Sequence, residues 1–169
     1  TLKDQGRLDE AAAHLRRAVA LAPDYGPNHG VLGHILHSLG RLRSADAALR
    51  RCIAIGYDND VNVWTVLGNN HRWLGEMEPA RTALERAIAI SNGAPEAYNN
   101  MAILLSQQGR FDEALEYYDR AVDAQPDHDL WRSNRGFSRL AAGDLDIGWQ
   151  GWEHGLRPGG PRGIERRLG

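Results

Sequence analysis

The side chains of this chain best suited to chemistry are seven histidines, a lone cysteine and a spaced set of asparagines. His34 and His37 stand three apart, so both fall on one face of a helix, and His71 or His29 could offer a third nitrogen to a metal ion. A zinc site needs three or four converging ligands with hydrogen-bonded groups behind them, and the chain has neither a cysteine pair nor an HExxH arrangement. The histidines are therefore read as hydrogen-bonding groups for a ligand, and no metal or other cofactor is expected. Cys52 occupies a place that is small in every unit of the repeat described below, which points to an inert packed thiol. No nucleophile–base pair, glycine-rich phosphate loop or paired catalytic carboxylate is recognisable, so this chain is not expected to be an enzyme. Asn69, Asn100 and Asn134 follow one another at 31 and 34 residues. An amide both donates and accepts, so such a series can pair with the backbone of an extended ligand whatever its side chains.

Bulk properties narrow the partners. Across 169 residues the net charge is only −2 and basic residues alternate with acidic ones, which leaves no electrostatic stripe for nucleic acid. No apolar run approaches the ~20 residues of a membrane span. One cysteine excludes an internal disulfide framework and favours a reducing compartment, so a cytoplasmic location is expected. The chain opens at Thr1 without Met and with its pattern already under way, which implies a preceding segment.

The elements that must position these groups come from an internal repeat. A glycine with an apolar residue two places on recurs as Gly6-Arg7-Leu8, Gly40-Arg41-Leu42, Gly75-Glu76-Met77, Gly109-Arg110-Phe111 and Gly143-Asp144-Leu145. The glycines are spaced 34, 35, 34 and 34 apart. Five places after each stands Ala11, Ala45, Ala80, Ala114 or Gly148, and four further on Leu15, Leu49, Leu84, Tyr118 or Trp152. Three beyond that comes Ala18, Cys52, Ala87, Ala121 or Gly155. Gly33, Gly68, Ala102 and Gly136 precede the turn glycines by seven. Steps of three and four between apolar residues, as in Phe111, Ala114, Tyr118 and Ala121, make one face of a helix. The spacing predicts a helix end at residues 1–5, then helices near 8–21, 26–39, 42–56, 61–74, 77–91, 95–108, 111–124, 129–142 and 145–156. A glycine inside a helix costs ~1 kcal/mol against Ala, so Gly33, Gly68 and Gly136 are expected where helices approach closely.

This series resembles the tetratricopeptide repeat family over residues 1 to about 157. Trp64 and Tyr98 fit the family's aromatic fourth place, and Pro23 and Pro126 its closing proline. Departures are Tyr57 and Asn92 where proline is expected, and one inserted residue between Tyr57 and Asp60. The resemblance implies an all-α, right-handed superhelical solenoid of antiparallel helix hairpins, with repeats at about 1–25 (partial), 26–60, 61–94, 95–128 and 129–157. Stacked hairpins bury their faces against neighbours and leave a concave and a convex side. The opening unit has lost its partner helix, which leaves Leu2, Leu15 and Val19 exposed. Preceding residues, a second copy of the chain or a bound segment are expected to cover that edge.

In this family the first helix of each hairpin lines the concave groove. Carried over place by place, the groove takes Gly30, Val31, His34, His37 and Ser38, then Asn62, Thr65, Val66, Asn69, Arg72 and Trp73. The fourth unit adds Glu96, Asn99, Asn100, Ile103, Ser106 and Gln107, and the fifth Leu130, Ser133, Asn134, Phe137 and Leu140. The residues singled out as ligand contacts are His34, His37, Asn69, Arg72, Trp73, Asn99, Asn100, Gln107, Asn134 and Phe137. Asn100 and Asn134 match the sixth-place asparagine ladder of the peptide O-linked N-acetylglucosamine transferase. Some members clamp a ligand's C-terminal carboxylate with two lysines, two asparagines and an arginine. Asn69 and Asn100 fit the asparagine places, but Thr65, Leu130 and Asn134 stand where the cations would be, so that clamp is not expected. Charged residues of the second helices, Glu113, Glu116 and Asp119 with Arg81, Arg86, Arg110 and Arg120, read as a solvated outer face with weak ion pairs.

The last unit runs Asn134-Arg135-Gly136 to Leu140 and Gly143, then Gly148-Trp149-Gln150-Gly151-Trp152-Glu153. This resembles the closing repeat of bacterial proteins in which such repeats precede a glycosyltransferase-like domain. Trp149 and Trp152 also suit a capping hairpin, and residues 158–169, rich in Gly, Pro and Arg, read as linker or tail. The expected function is a scaffold that binds a protein or an extended peptide. The alternatives are the substrate-recruiting arm of a glycosyltransferase-like enzyme whose catalytic domain lies outside this chain, and homo-oligomerisation through exposed solenoid ends.

Overall fold

A computed structural model describes residues 2–153, and the side chains of residues 4–146 and 148–150 within them. Among the described residues all regular structure is helical: α1 (Leu2–Leu21), α2 (Gly26–Ser38), α3 (Leu42–Ala54), α4 (Val61–Trp73), α5 (Met77–Ser91), α6 (Pro95–Gln107), α7 (Phe111–Ala124), α8 (Asp129–Ala141) and α9 (Leu145–Glu153). The chain divides into two compact units, Thr1–Asn92 and Gly93–Gly169.

In the first unit α2 pairs with α3 and α4 with α5, α1 leans on α2, and α4 packs on both α2 and α3. One core joins Ala12, Leu32, Leu36, Ala45 and Ala48, with Leu15 and Val19 of α1 packed against it. A second joins Leu49, Cys52, Val63, Leu67 and Ala83. Small residues let the paired helices touch. A Cβ added to Gly33 would lie 2.6 Å from Leu49 Cγ, and one added to Gly68 would lie 2.7 Å from Leu84 Cγ. In the second unit α6 pairs with α7 and α8 with α9, while α8 packs on α7 and touches α6. Its interior holds Ala97, Met101, Leu104 and Leu105 of α6 with Ala114, Tyr118 and Ala121 of α7.

The turns explain the glycine series. Gly40, Gly75, Gly109 and Gly143 all have φ between 69° and 93°. After each, the following amide reaches back to the carbonyl five residues earlier, as in Arg41 N–H to Leu36 at 2.8 Å and Glu76 N–H to His71 at 2.9 Å. That left-handed residue with its back-bonded neighbour is the Schellman stop, and it satisfies carbonyls that the helix end would orphan. Where proline is missing the chain stops its helices the same way. Gly56 takes φ 100° after α3, with Tyr57 N–H on Cys52 O at 3.2 Å, and Asn92 takes φ 52° after α5.

Two expectations are corrected at the first unit. Helix α1 runs straight through Gly6, which is not left-handed, so no break separates residues 2–5 from 8–21. A glycine inside a helix costs only about 0.5–1 kcal/mol against Ala, less than the backbone bonds that a break at Gly6 would give up. Leu15 and Val19 are half-buried on α2 rather than exposed; the side chains of Leu2 and Trp152 and the 158–169 tail lie outside what is described.

Candidate functional site

In the first unit α2 and α4 lie side by side, and a pocket of about 430 Å³ opens between them and the C-terminal end of α3. Gly30, Val31 and His34 of α2 face it from one side, and Asn62, Thr65 and Val66 of α4 from the other. Leu49 and Cys52 of α3 and Val63 of α4 form its buried floor. Gly30 keeps the floor open, since a Cβ there would sit 3.3 Å from both Cys52 Sγ and Val63 Cγ2. The segment Gly56–Asp60, which carries the inserted residue, forms the rim, and Tyr57 and Asp60 line the pocket. The ring of Tyr57 lies over Gly26, where an added Cβ would fall inside it.

Asp60 is the N-cap of α4. Its Oδ1 accepts from Asn62 N–H at 2.8 Å and from Val63 N–H at 3.4 Å, which satisfies two of the helix's free donors. Burial, and after it the Asp60 carboxylate, push the Cys52 thiol above its ordinary range, against an opposing hydrogen bond at Gly30. The thiol is therefore neutral, packed and a poor nucleophile.

The other groove candidates of this unit are placed as follows. His34 is exposed at the pocket. His37 is half-buried, with Nδ1 3.2 Å from Oδ1 of Asn70 on α4. Asn70, not Asn69, is the fully buried amide; its Nδ2 donates to the Leu42 carbonyl at 2.8 Å. Asn69 is half-buried and its Oδ1 has no hydrogen-bond partner among the described residues. Trp73 is 65% exposed, with the Arg72 guanidinium 5.3 Å from its ring centroid. His29 places Nε2 2.8 Å from the Pro23 carbonyl and so carries its hydrogen there.

Behind the α3–α4 contact lies a charged network that sequence reading passed over. The buried ring of His71 puts Nδ1 2.6 Å from Glu76 Oε2. Its Nε2 is 3.3 Å from Arg50 Nη2 and 3.2 Å from Asp46 Oδ1. The hydrogen bond from His71, and then that from Arg43 at 2.7 Å, hold the Glu76 carboxyl below the usual range. Among the described residues no three His, Cys, Asp or Glu side chains are arranged to hold a metal ion.

In the second unit Asn99 is buried and its Oδ1 accepts from Asn134 Nδ2 at 3.5 Å, a long bond between α6 and α8. Ser106 and Ser138 hydroxyls meet at 2.9 Å on the same pair of helices. Asn100 is half-buried, Gln107 is exposed and Phe137 is 53% exposed. Arg135 of the last repeat pairs with Asp119 of α7 at 3.1 Å, which gives that part of its motif a packing role. His128 caps α8 through Nδ1, which accepts from Trp131 N–H, and its ring stacks on Trp131 at 3.9 Å. No helix among the described residues is long and apolar enough to cross a membrane.

Antiparallel hairpins with a left-handed stop between their helices and small residues at the helix contacts define a helical-repeat protein of the α–α superhelix class. Comparison with known proteins names the repeat. Two family models, both described as tetratricopeptide repeat, match residues 2–69 and 95–128, and the chain belongs to the tetratricopeptide repeat proteins. Among solved structures it is similar to MamA, at 20% identity over 90% of this chain and 88% of that one, with a TM-score of 0.78. A MamA fragment from Desulfovibrio magneticus RS-1 matches at 17% identity over 89% and 84%, also at 0.78. YrrB, described as a TPR protein with an unusual peptide-binding site, matches at 18% identity over 90% and 78%, at 0.70. Likeness at these identities concerns the fold.

Proposed function

We propose that the chain is a protein-interaction scaffold that holds an extended polypeptide segment on the face made by the first helices of its hairpins. The observation that carries this reading is the pocket of the first unit. Gly30, Val31, His34, Asn62, Thr65 and Val66 line it, and all six occupy places that the family resemblance gives to the groove-lining helix. Apolar walls with a few amide and hydroxyl groups are what a peptide needs, since side chains are desolvated while backbone groups find partners. In the second unit the half-buried amide of Asn100 is the group assigned to a ligand backbone, since Asn134 donates to Asn99. The fold likeness to YrrB, a protein described as having a peptide-binding site, is consistent with this use.

Selection of a random peptide library on the immobilised chain tests the reading. Peptides that bind reversibly, and that lose up to about tenfold in affinity on Asn100→Ala at unchanged helicity, are the expected result. A library that yields no peptide above an unrelated helical control removes the proposal. Peptides indifferent to Asn100→Ala remove the amide contact alone.

A further inference from the structure

The pocket of the first unit has a chemistry of its own, and reading it deepens the peptide-binding proposal on which it rests. Its floor is apolar and its wall includes Val31, half of whose surface is open to solvent. Depth comes from the absence of a side chain at residue 30, where even a methyl group would press on Cys52 and Val63. A volume of about 430 Å³ exceeds any single side chain and lies near the small end of ligand pockets. The residues lining it include no lysine and no arginine, and Asp60 is the sole carboxylate among them. Asp60 spends Oδ1 on the cap of α4; Oδ2 makes no hydrogen bond among the described residues. Neighbouring Asp58 is already engaged by Arg86 at 3.6 Å. The field of Asp60 reaches the floor, since it helps to raise the Cys52 thiol.

We propose that this pocket takes a bulky apolar side chain of an extended peptide and that Asp60 selects a lysine or arginine beside it. The inserted residue of the Tyr57–Asp60 segment distinguishes this repeat from its 34-residue neighbours and places the acidic rim at the mouth. Asn62 and Thr65, both on the α4 wall, offer an amide and a hydroxyl to the peptide backbone beside the anchor. The specificity is thus the reverse of a carboxylate clamp: the site is apolar and anionic, and it selects a cationic ligand.

The test uses the whole chain and a panel of fluorescein-labelled, N-acetylated and C-amidated heptapeptides in an Ala/Ser background. The central pair is Leu-Lys, Phe-Lys, Ala-Lys or Leu-Glu, and binding is read by anisotropy. Leu-Lys and Phe-Lys are expected to bind at least about tenfold tighter than Ala-Lys, as burial of several carbons requires. They are expected to exceed Leu-Glu by about threefold, the scale of an exposed ion pair. Asp60→Asn keeps a good cap for α4 and removes the charge, so it should abolish the Lys-over-Glu preference and keep that for Leu over Ala. Gly30→Val should fill the pocket and erase the Leu-over-Ala preference. Should that variant melt early, Val31→Ser at the half-exposed wall reads the same preference without stressing the core. A Leu-over-Ala ratio untouched by both variants, or a Lys preference that survives Asp60→Asn, overturns the proposal. If library peptides bind through Asn100 while the panel shows no preference, the pocket assignment falls and the scaffold function stands.

Discussion

His37 of α2 and Asn70 of α4 meet side chain to side chain, 33 residues apart in sequence and 3.2 Å apart in space. Ser106 of α6 and Ser138 of α8 repeat the relationship at the same two places of the hairpin, 2.9 Å apart. Each pair ties the first helix of one repeat to the first helix of the next. Polar residues on the first helices of the hairpins are thus divided between neighbours and solvent.

Asn70→Ala should destabilise the first unit more than Asn69→Ala. The buried amide bonds both His37 and the Leu42 carbonyl, and its loss strands the carbonyl at a cost of about 1–3 kcal/mol. Urea unfolding followed by circular dichroism measures both. Equal losses would show that the bridge between α2, α3 and α4 contributes nothing.

Two glycine-to-alanine changes should have opposite signs. At Gly68 the new methyl meets Leu84 Cγ at 2.7 Å and the Ala80 carbonyl at 3.3 Å, so overpacking costs about 1–3 kcal/mol. At Gly6, inside α1, the methyl has nothing within 4 Å and the helix gains about 0.5–1 kcal/mol. Thermal melts of the two single variants decide it. Destabilisation at Gly6 would mean that α1 breaks there after all.

Glu76→Gln should reduce stability at neutral pH and lose its effect in acid. The folded carboxyl titrates below its unfolded value near pH 4.3, because His71 and then Arg43 favour its charged form. A depressed carboxyl contributes fully above the unfolded value and loses that contribution as pH falls through the folded one. The difference between the native chain and the variant should therefore be level above about pH 5.5 and shrink below about pH 4. A difference that does not change down to pH 3 would refute the pairing.

Cys52 should resist thiol reagents until the chain unfolds. Its side chain is 1% exposed, and burial with Asp60 keeps it protonated. With one cysteine in the chain the reaction is read without ambiguity. Labelling at pH 8 should follow the urea transition; rapid labelling in buffer would show that the pocket floor opens in the native state.

The helix boundaries were legible because the repeat states them several times over. Each copy carries its stop glycine, its small contact residues and its apolar steps, and the local rules agree with one another. Gly6 stands where the other repeats place a stop, but a glycine serves a turn or a helix and its type alone does not say which. Asn70 shows a different limit at the site, since its amide bonds His37 and the Leu42 carbonyl across helices. About 100° of rotation separates it from Asn69, and its residue type does not say that the amide is spent on neighbouring helices. The 35-residue spacing was the visible mark of the pocket, but its meaning needed the rim, the floor and Gly30 together.

Sequence by itself determined the hairpins, their register and the helices that carry the candidate ligand contacts, since these follow from short-range periodicity and turn chemistry. Tertiary structure alone decided which polar groups are spent between repeats, at His37–Asn70, Asn99–Asn134 and Ser106–Ser138. It also decided that an apolar pocket with an acidic rim opens beside Gly30. Those outcomes depend on distances between residues about a repeat apart, and helix packing sets such distances where composition does not.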